Sequence, residues 1–348
     1  MIQLTIDGKD LAVPEEKTVL EAARGAGIDI PTLCHDPRLA PYGGCRLCLV
    51  EIDGMAKPVT SCTTPVREGM VVRTVSERLY RLRRTIVELL LSDHPNDCMT
   101  CIGNGDCTLQ ELAYTYGLRD NRFHGARREH HRVDANPFIT REQNKCVLCG
   151  LCVRVCEEVQ GVSAIGFADR GFETKIVPPF GEDLNCEFCG QCVAVCPTGA
   201  LSARLWAGKP RTGGIRSTRT VCTFCGCGCN LTLKSKANEV FRVDSEPTTH
   251  NRGWLCVKGR FGYDFISSPE RLRTPLIRRS KGGPLEAVDW PEALQHIVGA
   301  VTRIKAEHGP DAFAGLSSAR CTNEENYLFQ KLLRAAIGTN NVDHCARY

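Results

Sequence analysis

Hydrophobic and polar residues alternate at the start of the chain, in "MIQLTIDGKDLAV", which predicts two strands joined by a turn at Asp7-Gly8. Apolar residues recur at helical spacing in "KTVLEAARGAG" and "ERLYRLRRTIVELLLSD", which predicts a short helix ending at glycine and a longer one. Farther on, "LTLKSKANEVFRVDSEPTTHNRG" alternates like short strands with turn residues. The last stretch, "SSARCTNEENYLFQKLLRAAIGTNNVDHCARY", predicts a strand end, an amphipathic helix and a loop. These mixed patterns predict an α+β protein of several domains.

The composition is ordinary for a globular protein, with 42% hydrophobic and 24% charged residues among 348. This length allows two or more domains, each with its own core. The net charge of +4 is small and spread along the chain, so we expect no nucleic-acid partner. No apolar run approaches the ~18 residues that a transmembrane helix needs, and the start lacks the features of a secretory signal. We therefore expect no transmembrane segment and a cytoplasmic location.

Cysteine is the exceptional residue type, with 22 copies. In a cytoplasmic protein of this size, so many cysteines indicate metal sites, whereas in a secreted protein they would indicate disulfides. Most of them fall into five groups with short internal spacings, which a random disulfide framework would not produce. The sequence therefore predicts five metal centres.

The first group has the spacing C-x10-C-x2-C-x13-C and follows the predicted hairpin and short helix. This order of elements is a β-grasp layout, as in plant-type [2Fe–2S] ferredoxins, although those use C-x4-C-x2-C. A four-cysteine zinc site is the alternative, but zinc sites usually bring two CxxC pairs and this group has one. The predicted ligands are Cys34, Cys45, Cys48 and Cys62.

The second group, in "HPNDCMTCIGNGDC", follows the longer predicted helix with the spacing H-x3-C-x2-C-x5-C. Three thiolates and an imidazole suit either a [4Fe–4S] cluster or zinc, and the neighbouring groups favour the cluster. The predicted ligands are His94, Cys98, Cys101 and Cys107.

The third and fourth groups repeat one pattern, C-x2-C-x2-C-x3-C, in "CVLCGLCVRVC" and "CEFCGQCVAVCP". In bacterial two-cluster ferredoxins, the fourth cysteine of each run ligates the other cluster. The expected crossing pairs Cys146, Cys149 and Cys152 with Cys196, and pairs Cys186, Cys189 and Cys192 with Cys156.

The fifth group, in "VCTFCGCGCNL" and "GWLCVKGRFG", reads C-x2-C-x3-C-x26-C. It predicts one more [4Fe–4S] cluster. Three cysteines are left outside the five groups, and lone thiols of this kind are usually inert core residues. The predicted ligands are Cys222, Cys225, Cys229 and Cys256, and the cysteines left over are Cys227, Cys321 and Cys345.

These motifs carry a family resemblance. Residues 1 to about 207 resemble the cluster-bearing front half of three families: the large peripheral subunit of NADH dehydrogenase, the iron-only hydrogenases, and the alpha subunit of NAD-linked formate dehydrogenases. Residues 215–348, with the fifth group and "VKGRFG", resemble molybdopterin oxidoreductases. In that family the lysine two residues after the last cysteine lies between the cluster and the pterin, which the resemblance transfers to Lys258. The run "SSARCTNEENYLFQKLLRAAIGTNNVDHCAR" is close to formate dehydrogenases in particular.

The resemblance covers essentially the whole chain and implies five domains. The first is of the β-grasp class, and the last is the truncated start of an α/β pterin-binding domain. The domains are a [2Fe–2S] ferredoxin-type domain (1–78), a [4Fe–4S] domain with one histidine and three cysteine ligands (79–118), a two-[4Fe–4S] ferredoxin-type domain (137–207), a molybdopterin oxidoreductase [4Fe–4S] domain (215–272) and a partial molybdopterin-binding domain (273–348).

The implied activity is oxidation of formate to carbon dioxide at a molybdenum or tungsten centre held by bis-molybdopterin guanine dinucleotide. Electrons would leave through one [2Fe–2S] and four [4Fe–4S] clusters to a partner subunit that carries flavin and reduces NAD. Ferredoxin or hydrogenase subunits are alternative partners. The chain has no Gly-rich dinucleotide loop after a strand, so it is not expected to bind NAD or flavin itself. Alternatives are a stand-alone electron-transfer subunit, and the large cluster subunit of an NADH dehydrogenase or hydrogenase complex.

The chain ends on Cys345-Ala346-Arg347-Tyr348. In formate dehydrogenases such a lead-in precedes the metal-binding cysteine or selenocysteine, so the next position would hold the metal ligand. Our hypothesis is a selenoprotein gene read as ending at its selenocysteine codon; an arbitrary fragment or a nonsense mutation is the alternative. We expect no catalytic residue within these 348 residues and no activity of this chain alone toward formate. We also expect the helices of residues 273–348 to expose apolar faces.

Basic residues cluster in "RLYRLRR", within the longer predicted helix. Because iron–sulfur clusters with their thiolates are net negative, nearby cations offset their charge. We expect this run either to serve that role or to face solvent.

Overall fold

The computed structural model describes residues 1–130, 136–209 and 213–344. The chain folds as two compact units, residues 1–215 and residues 216–348. Each unit has a hydrophobic core of its own among the described residues. None of the helices in these described ranges is both long and apolar enough to form a membrane span.

A five-stranded sheet opens the first unit, in the spatial order β2-β1-β5-β3-β4. Strands β1 and β5 pair in parallel and the other neighbours pair antiparallel. The predicted hairpin is confirmed: Asp7 and Gly8 have φ values of 49° and 78°, as a tight two-residue turn requires. The strands are β1 (Ile2–Ile6), β2 (Lys9–Val13), β3 (Leu49–Ile52), β4 (Val59–Thr60) and β5 (Met70–Arg73).

The predicted short helix is α1, Val19–Gly25. It begins with a capping box in which the side chain of Thr18 accepts from the N–H of Glu21 while the Glu21 carboxylate accepts from the N–H of Thr18. Its buried face packs into a core that also contains Cys48 and Cys62. The sheet and α1 therefore hold two cysteines of the first group in place.

The second predicted helix is confirmed as α2, Glu77–Asp93, and α3 spans Thr108–Thr115. Ser76 caps α2 by accepting from the N–H of Leu79. Val87 of α2 packs in one core with residues of α3 and with Leu47 of the first cysteine loop. This core joins the first and second cysteine groups.

The third and fourth cysteine groups lie among short elements. Each run of cysteines leads into a short helix whose first turn follows a left-handed glycine, Gly150 (φ 72°) or Gly190 (φ 71°). Strand β6 pairs with β9 and β7 pairs with β8, both antiparallel. The elements are β6 (Ile139–Arg141), α4 (Leu151–Arg154), β7 (Gly166–Ala168), β8 (Lys175–Val177), α5 (Gln191–Val195) and β9 (Leu201–Ala203).

The second unit opens with a three-stranded antiparallel sheet in the order β10-β11-β12. The alternating stretch of the sequence forms its last two strands, as predicted. The elements are β10 (Arg216–Val221), β11 (Asn230–Lys236), β12 (Glu239–Asp244) and the short helix α6 (Val257–Phe261).

The rest of the second unit holds two longer helices and four short strands. The predicted terminal loop is wrong in part, because β16 pairs in parallel with β15. Apolar residues of α7 are exposed as expected: Trp290, Leu294, Ile297 and Val298 are each more than half accessible. The elements are β13 (Leu276–Ile277), β14 (Glu286–Ala287), α7 (Trp290–His308), β15 (Gly315–Ser317), α8 (Asn323–Lys331) and β16 (Val342–His344).

Candidate metal centres

The first group comes together as two sulfur pairs. The Sγ atoms of Cys48 and Cys62 lie 3.3 Å apart, and the backbone N–H of Cys45 donates to the Sγ of Cys34 at 3.3 Å. Three of the four residues are buried, and Cys45 is half-buried. Hydrogen bonding to Cys48 and burial raise the pKa of Cys62, and the nearby Cys34 and Cys45 raise it further. All four side chains therefore lie within electrostatic reach of one another.

One thiol in each pair of the first group ionises readily. The neighbouring Cys34 thiol lowers the pKa of Cys45 to about 6, and the Cys62 thiol lowers that of Cys48 to about 6. Thiolates, not thiols, bind metal. The pairing therefore favours a thiolate at Cys45 and at Cys48, while the pKa values of their partners Cys34 and Cys62 are raised.

His94 of the second group lies directly after α2 and is buried. Its Nδ1 lies 2.8 Å from the carbonyl oxygen of Pro95, while its Nε2 is buried with no hydrogen-bond partner. Burial lowers the pKa of His94, so the imidazole is neutral near pH 7. Metal-ligating histidines commonly donate one ring N–H to a carbonyl and bind metal through the other nitrogen. The unpartnered Nε2 therefore fits a metal ligand.

A cavity of about 240 Å³ lies beside His94 and is also lined by Cys98 and Cys107. Cys101 is buried, and its Sγ accepts the backbone N–H of Gly103 at 3.4 Å. Burial raises the pKa of Cys107, and nearby Cys101 and Cys98 raise it further. The three cysteines of this group thus lie close together, with His94 on the cavity wall.

The two ferredoxin-like runs line two cavities in the crossed arrangement. The first cavity has Cys196 of the second run among three cysteines of the first run, and the second has Cys156 of the first run among three of the second. Cys192 lines both, so the cavities adjoin. The first is lined by Cys146, Cys149, Cys152 and Cys196, and the second by Cys156, Cys186, Cys189 and Cys192.

Backbone N–H groups donate to the sulfurs of both runs. Leu148 donates to Cys146 Sγ at 3.4 Å, and Phe188 donates to Cys186 Sγ at 3.3 Å. Burial raises the pKa of Cys149 to about 12 and that of Cys152 well above its ordinary value. Thiols this costly to ionise need a cation to stabilise the thiolate, and the iron of a bound cluster would supply that charge.

The fifth group lies at the end of the β10–β12 sheet. Cys222 is buried and donates its N–H to the carbonyl of Cys229 at 2.8 Å, which closes the loop between them. Cys225 and Cys256 are exposed. This group is therefore only partly enclosed by protein.

Cys227 and Lys258 both act on Cys225. Hydrogen bonds from the backbone and the side chain of Cys227 lower the pKa of Cys225, and the Lys258 ammonium lowers it further. Lys258 belongs to α6. Cys227 is exposed, so the expectation that it is a core residue is wrong.

The other two lone thiols have different outcomes. Cys321 is exposed, against the core interpretation, and Cys345 lies outside the described residues, as does the rest of the Cys345–Tyr348 lead-in. Across residues 1–130, 136–209 and 213–344, no three His, Cys, Asp or Glu side chains are gathered tightly enough for a single metal ion.

Two buried arginines lie beside the first group: Arg83 of α2, which belongs to the basic run "RLYRLRR", and Arg154 of α4, which was not singled out from the sequence. Helical periodicity carries a signal for Arg83, because it stands between Leu79 and Val87 on the buried face of α2. Nothing local in the sequence marks Arg154.

Models of known families match successive parts of the chain. The matches are a 2Fe-2S iron-sulfur cluster binding domain (residues 1–77), the NADH-ubiquinone oxidoreductase-G iron-sulfur binding region (83–122), the ferredoxin-like domain of NADH-quinone oxidoreductase subunit 3 (136–202), the molybdopterin oxidoreductase Fe4S4 domain (215–268) and molybdopterin oxidoreductase (271–348). They confirm the predicted fold class.

Curated relatives match all or nearly all of the chain. The alpha subunit of the NADPH-Fe(3+) oxidoreductase of Geobacter sulfurreducens is 45% identical over 348 residues, which is 100% of this chain and 40% of that protein. The second NADH-quinone oxidoreductase G protein of Rhizobium meliloti is 42% identical over 352 residues, with the same coverage. A Staphylococcus aureus protein with formate dehydrogenase as a provisional name is 33% identical over 389 residues, 99% of this chain and 39% of its own. The chain thus spans about 40% of the length of these relatives.

Among solved structures, a crystal structure of an NAD⁺-reducing [NiFe]-hydrogenase in the H2-reduced state is similar, with a TM-score of 0.56 and 33% sequence identity. The match covers 61% of this chain and 91% of that one.

Proposed function

We propose that this chain conducts single electrons between a pterin-held metal and a partner subunit. The premise is that the chain is the N-terminal, iron–sulfur-bearing region of a molybdopterin oxidoreductase, like the G subunits of NADH-quinone oxidoreductase. One observation carries the proposal. The two adjoining ferredoxin-like cavities are lined by cysteines in the crossed arrangement, which two-cluster electron carriers use.

Four residues hold each cluster in this proposal, and the third and fourth groups exchange their fourth cysteines, Cys156 and Cys196. The first group holds a [2Fe–2S] cluster and the other four hold [4Fe–4S] clusters, within the five domains expected from the sequence. Iron–sulfur clusters, when bound, accept and release single electrons. The chain supplies thiolates, the Nε2 of His94, backbone N–H donors to sulfur, and burial that keeps water away from the ferredoxin-like sites.

Lys258 places a positive charge beside the fifth group, close enough to act on Cys225. In the proposal this lysine lies between that cluster and a bis-molybdopterin guanine dinucleotide that carries molybdenum or tungsten. The intact protein then oxidises formate to carbon dioxide in the cytoplasm and passes electrons to a flavin subunit that reduces NAD. The provisional name of the Staphylococcus aureus relative and the NAD⁺-reducing activity for which the hydrogenase is named support this proposal.

A second candidate is favoured by two other relatives. The Geobacter sulfurreducens and Rhizobium meliloti proteins are named for NADPH-dependent iron reduction and for NADH–quinone oxidoreduction, and their identities of 45% and 42% exceed that of the formate dehydrogenase-named relative. In this candidate, electrons from NAD(P)H pass through the same clusters with no formate chemistry.

Cluster assignment is tested by paired substitutions in the anaerobically purified chain. We expect about 18 iron atoms and about 18 acid-labile sulfides per chain. Cys196→Ala is expected to remove the same paramagnetic signal as Cys146→Ala, and Cys156→Ala the same signal as Cys186→Ala. Cys321→Ala, at an exposed thiol outside the groups, is the control and should remove none. Zinc in place of iron would contradict the assignment. So would loss of one common signal in Cys196→Ala and Cys186→Ala, or in Cys156→Ala and Cys146→Ala.

The substrate is tested on the complex isolated from its source through a tag at the N-terminus of this chain. Formate is expected to reduce the clusters and to drive NAD reduction. Reduction by NADH or NADPH with no response to formate would establish the second candidate instead.

A further inference from the structure

Arg83 of α2 reaches from its own helix to the first cysteine loop. It is 6% exposed, and its Nε and Nη2 donate to the carbonyl oxygens of Leu47 and Leu49 at 3.1 and 2.6 Å. These two residues flank Cys48. The guanidinium therefore binds the backbone on both sides of a predicted ligand.

Arg154 approaches the same site from α4. It is 9% exposed, its Nη2 donates to the carbonyl oxygen of Cys34 at 2.6 Å, and its Nη1 donates to that of Ala40. The guanidinium carbon lies 5.1 Å from the centre of the Tyr42 ring, while Nε is buried and without a partner. Arg154 therefore holds the Cys34 side of the loop as Arg83 holds the Cys48 side.

Neither guanidinium forms an ion pair with a carboxylate of the described residues. Lys145 shows the usual alternative: it is 5% exposed, and its ammonium lies 2.6 Å from Glu142 and 3.4 Å from Asp97. A buried charge is costly unless an opposite charge compensates it. The two arginines thus bring positive charge to the first cysteine group without an ion-paired carboxylate among residues 1–130, 136–209 and 213–344.

We infer that Arg83 and Arg154 form an arginine pair that positions the ligand loops of the first group and raises the reduction potential of its cluster. This inference rests on the proposed function, because the compensating anion is the [2Fe–2S] cluster with its four thiolates. Reduction adds one electron and makes the site more negative, without breaking a bond. A nearby cation stabilises the reduced form more than the oxidised form, which moves the potential upward.

The arginine pair also joins the first site to its neighbours. Arg83 belongs to the helix that leads to His94, and Arg154 belongs to the helix that carries Cys152. Each arginine is therefore a link between the first cluster site and another one.

The test is a redox titration of the [2Fe–2S] signal in the full chain, with dithionite as reductant. Arg83→Gln and Arg154→Gln are each expected to shift the reduction equilibrium about tenfold toward the oxidised form, a potential lower by about 59 mV for one electron. Arg81→Gln is the matched control, because Arg81 lies two residues from Arg83 with its side chain 71% exposed. It is expected to change the equilibrium less than about twofold.

Arg83→Lys and Arg154→Lys separate charge from packing. Lysine keeps the charge but not the fork that spans two carbonyls. Both lysine variants should therefore retain most of the potential while losing stability. Shifts in the lysine variants as large as in the glutamine variants, or an unshifted signal in the glutamine variants, would overturn the inference. Absence of a [2Fe–2S] signal from the unsubstituted chain would instead overturn the proposed function.

Discussion

The ferredoxin-like sites of the first unit and the fifth cysteine group of the second unit use similar ligand spacings but differ in their access to solvent. Cys149 and Cys152 are buried, whereas Cys225 and Cys256 are exposed. In the first unit, short helices and paired strands surround the sulfurs. In the second unit all six residues of β10 are exposed, and the cysteine loop follows directly at its end. Ligand spacing thus determines which sulfurs come together, while the surrounding packing determines how far solvent reaches them.

The largest effect on iron content and stability is expected at Gly199 of the first unit, where packing leaves no space for a side chain. A Cβ added at Gly199 would lie 2.6 Å from the Sγ of Cys101, a separation that packed atoms do not tolerate. Gly199→Ala should displace Cys101, remove the cluster of the His94 group and lower the free energy of unfolding by about 1–3 kcal/mol. Iron content and denaturant unfolding measure both effects. Gly166→Ala, where a Cβ meets nothing within 4 Å, is the control. A full iron complement in Gly199→Ala would contradict the packing.

Chelation compares the two regions directly. Under anaerobic conditions with an excess of chelator, the fifth group should lose iron about tenfold faster than the ferredoxin-like sites, because a protein shell controls solvent access to a metal site. Paramagnetic signals, assigned with Cys222→Ala and Cys149→Ala, measure the two rates. Equal rates would show that exposure of Cys225 and Cys256 does not govern iron loss.

Two ion pairs of similar geometry sharpen the comparison. Arg122 binds Glu88 in the first unit, and Arg219 binds Glu246 in the second, each with an N–O distance of 2.6 Å. The Glu88 side chain is 1% exposed and that of Glu246 is 34% exposed. Glu88→Gln should lower the free energy of unfolding by about 1–3 kcal/mol, and Glu246→Gln by less than about 1 kcal/mol. Denaturant titration measures both, and equal losses would contradict the role of burial.

The Glu88 carboxylate is also expected to make the stability of the protein depend on pH. Hydrogen bonds from Arg122 lower the pKa of Glu88 from 4.5 to about 2 despite burial. Because the folded-state pKa lies below the unfolded one, this stabilisation is complete above pH 4.5 and is lost as the pH falls toward 2. Glu88→Gln should remove this part of the acid-dependent loss of stability.

The smallest effect concerns thiol reactivity in the iron-free chain. Cys225 is exposed with a lowered pKa, whereas burial raises that of Cys149 to about 12. At neutral pH, iodoacetamide should label Cys225 several-fold faster, because the thiolate is the reactive form. For Cys149 the rate should keep rising toward pH 12. Peptide mapping by mass spectrometry gives the rates, and uniform labelling would contradict the difference.

The sequence predicts best what local chemistry determines. The turn at Asp7-Gly8 and the bounds of α2 follow from turn residues and helical periodicity, and both are confirmed. The crossed grouping of the two ferredoxin-like runs follows from their spacing, and the cavities reproduce it. The ligand roles of these residues stay predictions.

Long-range pairing explains the features that the sequence did not reveal. Val342–His344 is a strand only because Gly315–Ser317 lies beside it. Arg154 bonds to the carbonyls of residues 114 and 120 positions earlier in the chain, so no local pattern marks it. Arg83, in contrast, belongs to the basic run for which the sequence left two alternatives, a position near a cluster or exposure to solvent, and the structure buries it.

The left-handed glycines at the two ferredoxin-like runs imply that a single backbone template is used twice. Leu148 and Phe188 share a φ of 52°, and each is followed two residues later by a glycine with φ near 70°. Such a template gives the backbone the same path between the cysteines with two different pairs of side chains, Val147-Leu148 and Glu187-Phe188. We therefore expect that exchanging residues 147 and 148 with residues 187 and 188 preserves both backbone turns, so that the side chains between the cysteines can differ while the turns stay the same.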